Sequence, residues 1–166
     1  NRRHQDAALR KLIEQRLREY EAMLEDNAFF LMRTQGVGVI SRELAETVGV
    51  SGPLLRGSGV PFDIRRAEPY SSYGDFPFTV PVETAGDCFA RYRVRMLEFR
   101  ESIKLVRQVI DGLPAGPISS RPGVKSVGQV RIPKGEGYSR IEGARGELGC
   151  YLVADGGPKP YRLKWR

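Results

Sequence analysis

Apolar residues recur at spacings of three and four from Gln5 to Asp26, where Leu9, Leu12, Ile13, Leu17, Tyr20 and Leu24 fall on one face. The pattern predicts an amphipathic helix with charges of mixed sign, including Glu14 and Arg18 as an i,i+4 pair. A longer stripe runs through Phe89, Tyr92, Met96, Phe99, Ile103, Val106 and Ile110. It predicts a helix from Cys88 to about Asp111, capped by Asp87 and stopped at Gly112 and Pro114. About three heptads are short for a coiled-coil seam, so the stripe is expected to be buried in a helical bundle. Between these helices the signals are shorter. Ala28-Phe29-Phe30-Leu31-Met32 predicts a short helix plugged into the core. Ser41 is a suitable N-cap for Arg42 to Val48, which ends at Gly49, and Ser51 with Pro53 starts another helical turn. Val60 to Asp87 carries Pro61, Pro69, Pro77 and Pro81 and reads as a long loop, either functional or laid along a partner. Its aromatics Phe62, Tyr70, Tyr73, Phe76 and Phe78 are expected mostly in the core.

The period then shortens. Leu113 to Pro122 is a Pro/Gly/Ser connector, Val127 to Ile132 has weak strand character, and Gly135-Glu136-Gly137 reads as flexible. Tyr138 to Glu142 and Leu148 to Ala154 suit strands. Asp155-Gly156-Gly157 supplies a turn into Tyr161 to Trp165, completing a hairpin. The alternation in Tyr161-Arg162-Leu163-Lys164-Trp165 predicts one buried and one wet face. The expected fold is α+β: a helical core on two long helices with a small antiparallel C-terminal sheet. It would form a single domain over 1–166, mainly helical in 1–117 and mainly β in 118–166. The chain has no initiator Met and is expected to be a piece of a longer protein.

Composition narrows this picture. No apolar run reaches bilayer-spanning length, and no secretory signal is present. Two distant cysteines, Cys88 and Cys150, imply neither a disulfide framework nor a metal cage and are expected to be buried small hydrophobes in a reducing, cytoplasmic setting. The net charge is +7, and from Arg121 onward ten Lys or Arg face four Asp or Glu. A basic surface suits nucleic acid, anionic lipid or an acidic partner. Nucleic acid is not expected, because basic and aromatic residues do not cluster as in its binding motifs.

No catalytic constellation is complete in the residues themselves. His4 is the single histidine, expected to be exposed near the start of the chain, and cannot alone build a triad or a zinc site. Gly36-Val37-Gly38 fails as a phosphate loop because Ser41 stands where the third glycine belongs. Glu142 and Glu147 are a possible acid pair, or simply solvated or salt-bridged. Arg145-Gly146-Glu147 is more pointed. Its glycine allows backbone to approach a ligand or another chain closely, and its arginine offers a permanent fork of donors. A structural salt bridge from Arg145 to a glutamate is the other reading.

Four ordered blocks resemble a known family. They are Arg33 to Ile40, Ser51 to Val60 with Asp63 and Arg65, Gly86 to Tyr92, and Ala144 to Gly149 continuing through Tyr151 to Gly157 and Pro160 to Lys164. Together they resemble the D subunit of respiratory complex I (NADH:quinone oxidoreductase), which is related to the large subunit of nickel-iron hydrogenases. The resemblance covers Leu17 to Arg166 and thins between Ile118 and Gly135, where the family commonly has a longer insertion. It implies the middle-to-late part of the quinone-site subunit, within a nickel-iron hydrogenase large-subunit-like fold. That subunit would scaffold electron transfer from an iron-sulfur subunit to quinone in a proton-translocating complex.

The resemblance also carries implications for sites and partners. Arg145 matches the arginine that reaches over the metal centre in the hydrogenase relatives, with Ala144 where they have proline. Arg145, Gly146 and Glu147 are therefore expected at the edge of the quinone cavity or just behind it. No cofactor is expected on this fragment; quinone belongs to the whole subunit, and iron-sulfur clusters and NADH to partner subunits. The implied partners are the adjacent iron-sulfur subunit, other peripheral-arm subunits and a membrane-arm subunit, on the cytoplasmic side of the membrane. An energy-converting nickel-iron hydrogenase large subunit, or an interaction or assembly module that kept the fold, are the alternatives.

Overall fold

The computed structural model describes residues 2–114, 116 and 132–166, with side chains described from residue 11 onward. Among the described residues six helices are followed by a three-stranded sheet: α1 Arg2–Glu25, α2 Ala28–Thr34, α3 Arg42–Thr47, α4 Gly52–Gly57, α5 Ile64–Ala67, α6 Cys88–Gly112, β1 Gly135–Gly143, β2 Gly146–Ala154 and β3 Arg162–Trp165. The mixed architecture and the small antiparallel sheet agree with the α+β reading. The weak strand expected at Val127 to Ile132 and most of the Leu113 to Pro122 connector lie outside the described residues, as do the side chains of His4 and Leu9.

The two long helices form where the apolar period predicted them, and they lie antiparallel. Glu14 pairs with Arg107 at 3.0 Å, Glu21 with Arg100, and Glu25 with Arg93 at 3.6 Å. Glu14 and Glu21 are seven residues apart, as are Arg100 and Arg107, so both pairs fall on one seam. Glu14 thus bridges between helices rather than to Arg18. Asp87 caps α6 as expected, accepting from the Ala90 amide at 2.7 Å and reaching back to the Gly36 amide at 2.8 Å.

The buried face of α6 is rotated from the predicted stripe. Ala90, Val94, Met96 and Leu105 are buried, whereas Phe99, Val106 and Ile110 are exposed. The reason is α4, the helix most closely packed on α6. A Cβ on Gly57 would meet Arg91 Cγ at 3.0 Å, so small residues let the two backbones approach. The face of α1 is likewise only partly covered: Leu17 is buried, but Leu12, Ile13 and Tyr20 are exposed. In α2, Phe29 and Met32 face outward, and only Phe30 reaches an aromatic partner group, Phe89 and Tyr92 at centroid distances of 6.3 and 5.2 Å.

The long loop contains α5, which the sequence did not signal, and it winds around Arg65. The Arg65 guanidinium lies 5.0 Å from the Phe78 ring centre and 5.7 Å from that of Tyr73. Of the loop aromatics only Phe78 is fully buried; the others are half-buried.

In the sheet, strand order is β1-β2-β3 and both pairings are antiparallel. β1 starts at Gly135, so Gly135-Glu136-Gly137 is paired strand opposite Ala154, Val153 and Leu152 rather than a flexible link. β3 departs from expectation in the other direction. It pairs with β2, but as an edge strand it leaves Leu163 and Trp165 exposed along with its basic residues. Both cysteines are half-buried rather than buried, and Cys88 Sγ accepts from Arg91 Nη2 at 3.0 Å.

Candidate functional site

Ala144 and Arg145 form the two-residue turn between β1 and β2, closed by the Gly143↔Gly146 pair. The positive φ falls on Gly146, at +124°, and not on the turn residues. A Cβ on Gly146 would lie 2.6 Å from Ser51 Oγ. The close backbone approach anticipated at this glycine is therefore to the start of α4 in the same chain. Ser51 occupies the N-cap position of α4 but does not cap it. Its hydroxyl is taken by the Glu147 amide, which donates at 2.9 Å. One hydroxyl thus fastens the β1–β2 turn to α4.

Beside this seam lies an open cleft of about 500 Å³ between α6 and the turn, lined by residues of α4, α5, α6 and β1. Arg56 forms its floor. Buried at 1% exposure, Arg56 meets Glu98 at 2.5 Å, Glu142 at 2.9 Å and Asp63 at 3.6 Å, and donates to the Phe62 carbonyl at 2.9 Å. It therefore ties α4 to α6, to β1 and to the loop before α5. Arg65 adds a two-pronged pair to Asp63 at 2.6 and 2.9 Å. Burial pushes the Asp63 carboxyl up, but the Arg65 hydrogen bonds and the charges of Arg65 and Arg56 outweigh it and hold the group below its ordinary value. The Asp63 hydrogen bond in turn raises Arg65. Glu98 goes the other way. Burial raises its carboxyl, and Arg56 offsets this only in part.

Of the three residues singled out in the sequence, only Arg145 lines the cleft. It stands exposed at the mouth, as does Arg95, and among the described residues neither is ion-paired. The structural salt bridge considered for Arg145 is therefore not made to any described glutamate. Gly146 is buried in the seam. Glu147, with its side chain 5% exposed, pairs with Arg140 at 3.2 Å and accepts from the Tyr138 hydroxyl. Glu142 and Glu147 stand directly opposite each other in the β1–β2 register but are neutralised by different arginines, Arg56 and Arg140. They do not act as an acid pair.

Sequence reasoning gave no site role to Arg56, Arg65, Arg95, Glu98, Phe99 or Ser102; it placed Phe99 in the buried stripe of α6 and Arg95 on its exposed basic side. One signal was available for Arg56: a charge set between Leu54-Leu55 and Gly57 in a short apolar helix has to find buried partners. Among the described residues no group of three or more His, Cys, Asp or Glu could hold a metal ion. The cleft offers fixed positive charge at its mouth, an aromatic wall in Phe99, a hydroxyl in Ser102 and carboxylates at its floor. It suits a small, partly apolar molecule with hydrogen-bonding oxygens.

The family model for the respiratory-chain NADH dehydrogenase 49 kDa subunit matches residues 3–127 and 123–166. The D subunit of the F(420)H(2) dehydrogenase of Methanosarcina mazei is 49% identical over 152 residues, covering 90% of this chain and 41% of that protein. A D subunit of the NADH-quinone oxidoreductase of Rhizobium etli is 46% identical over 173 residues, covering 91% of this chain and 43% of that protein. Among solved structures, the membrane-bound sulfane sulfur reductase, an archaeal respiratory membrane complex, matches 98% of this chain and 44% of its own, with a TM-score of 0.85 and 34% identity. The chain spans about two fifths of the length of these relatives.

Proposed function

The chain belongs to the family of the 49 kDa subunit of respiratory-chain NADH dehydrogenase, and from that premise we propose that it is a segment of the quinone-site subunit of a proton-translocating oxidoreductase. In this reading it scaffolds electron transfer from an adjacent iron-sulfur subunit to quinone, and the cleft beneath Arg145 borders the quinone cavity. The observation that carries the reading is the placement of Arg145. The seam between Gly52, Gly146 and Ser51 fixes the turn, and Arg145 is left exposed over a cleft that has both apolar and hydrogen-bonding walls. An arginine held there can donate to a quinone oxygen and stabilise the negative charge that develops on reduction.

The nickel-iron hydrogenase-like fold and the other partners belong to the same proposal: further peripheral-arm subunits and a membrane-arm subunit, with the assembly on the cytoplasmic side. No helix among the described residues is long and apolar enough to cross a membrane, which fits peripheral attachment. In this reading the electron donor binds to other subunits; two relatives are named for different donors, one as an F(420)H(2) dehydrogenase subunit and one as an NADH-quinone oxidoreductase subunit. The test is the Arg145→Ala variant in the assembled complex. The quinone KM should rise, and an unchanged KM and rate would remove Arg145 from the cavity.

A further inference from the structure

The cleft floor holds more carboxylates than cations. Asp63, Glu98 and Glu142 all face Arg56, and among the described residues Arg65 is the one other cation paired into the group. Three carboxylates against two guanidiniums leave a net negative charge in a place largely shut off from water. Buried charge of that kind is costly, and taking up one proton relieves it. The three acids differ in access. The side chains of Asp63 and Glu142 are 0% and 3% exposed, whereas that of Glu98 is 17% exposed and lines the cleft. Both guanidinium contacts to Glu98 fall on Oε1, and among the described residues nothing hydrogen-bonds to Oε2.

We propose that Glu98 exchanges a proton with the molecule held in the cleft. The inference rests on the quinone reading above. Reduction of a quinone to a quinol takes two electrons, here from an iron-sulfur centre of the neighbouring subunit, and two protons. Glu98 supplies one proton: its Oε2–H bond breaks as a quinol O–H bond forms, and the carboxylate left behind is held by Arg56. The second proton comes from solvent, and solvent at the cleft mouth then reprotonates Glu98. The charged groups that act on Glu98 are Arg56 from α4, Arg65 from α5 and Glu142 from β1, and Arg145 of the turn lines the same cleft at its mouth. On α6 itself Arg95 lies one turn away. Burial favours the protonated form and Arg56 the ionised one, and a group that transfers protons needs that balance.

The test is quinone reduction by the assembled complex with a short-chain benzoquinone, measured across pH for the wild type, Glu98→Gln, Glu98→Asp and Arg145→Ala. Glu98→Gln should lower kcat by at least about tenfold, leave KM within about twofold and flatten the alkaline limb of the profile. Glu98→Asp should recover part of the rate with that limb displaced. If Arg145→Ala raises KM while Glu98→Gln keeps the wild-type rate and profile, the cleft stands and Glu98 is only a structural partner of Arg56. If neither variant alters quinone kinetics, the cavity reading falls and this inference with it. Should Glu98→Gln fail to assemble, Glu98→Asp decides, and an undisplaced limb counts against the proposal.

Discussion

Gly52 and Gly146 meet backbone to backbone: a Cβ on Gly52 would lie 2.3 Å from the Cα of Gly146, and both residues have positive φ. The contact joins the start of α4, which carries Arg56, to the turn that carries Arg145. Arg56 and Arg145, two of the four arginines that line the cleft, are therefore set by one seam that only glycines can form. Gly156 is a natural comparison, because it has φ +96° but a Cβ there would meet nothing within 4 Å. Gly156→Ala should cost about 1–2 kcal/mol for its backbone conformation alone. Gly146→Ala should cost about 1–3 kcal/mol more, because the new methyl overlaps Ser51. Thermal melting of the two variants checks the difference.

Arg56 is a buried cation held by α6, β1 and the loop before α5, so its removal strands Glu98 and Glu142 and takes from Asp63 one of its two cations. Arg56→Met should destabilise the protein by about 3–5 kcal/mol, the range for breaking a buried ion pair from one side. Arg56→Lys keeps the charge but loses the fork, and should fall between the wild type and Arg56→Met. Denaturant unfolding of both variants measures this ordering.

The α1–α6 seam should behave differently. Glu14 and Arg107 are each close to half exposed, so Glu14→Gln should cost no more than about 1 kcal/mol, and less at high salt. Leu17, buried beneath the same seam, should cost about 2–5 kcal/mol when cut to alanine. Apolar burial, not the run of charge pairs, holds α1 in place.

Asp87 predicts an acid-sensitive helix start. Burial raises its carboxyl, but the Ala90 and Gly36 amides and Arg91 outweigh burial and hold it below the ordinary carboxylate value. A depressed carboxyl stabilises the fold above its unfolded-state value near pH 4, and that stability is lost as pH falls through the lower folded-state value. Asp87→Asn should therefore be less stable than wild type at neutral pH, with the gap closing below about pH 4. Glu98, whose carboxyl is raised, acts in the opposite sense and favours the fold on the acid side of its own titration. Stability measured from pH 7 down to pH 2 follows both.

The sequence made some of this legible and hid the rest for identifiable reasons. The period of three and four located α1 and α6, and the Asp87 cap fixed where α6 starts. Their buried faces were misjudged because the pattern weights large residues. The packing of α4 on α6 is instead made where Gly57 sits against Arg91, and the buried residues of that part of α6 are the small Ala90 and Val94. The hairpin from Leu148 to Trp165 followed from its turn and alternation. Burial of β3 did not, because alternation cannot say whether anything packs on an edge strand. At the site, Arg145 stood out beside its glycine. Arg56 did not, because its partners Glu98 and Glu142 lie 42 and 86 positions further along the sequence and only the fold brings them together.

A quinone cavity bordered by the cleft below Arg145 would bring bound quinone within reach of the cleft walls. The most direct measurement is photo-crosslinking of the assembled complex with an azido-quinone, followed by mapping of the labelled peptides. Label is expected on the segments holding Arg95 to Ser102 and Glu142 to Gly146, suppressed by excess unlabelled quinone and reduced in Arg145→Ala. Quinone-protectable label confined to residues outside both segments would contradict it.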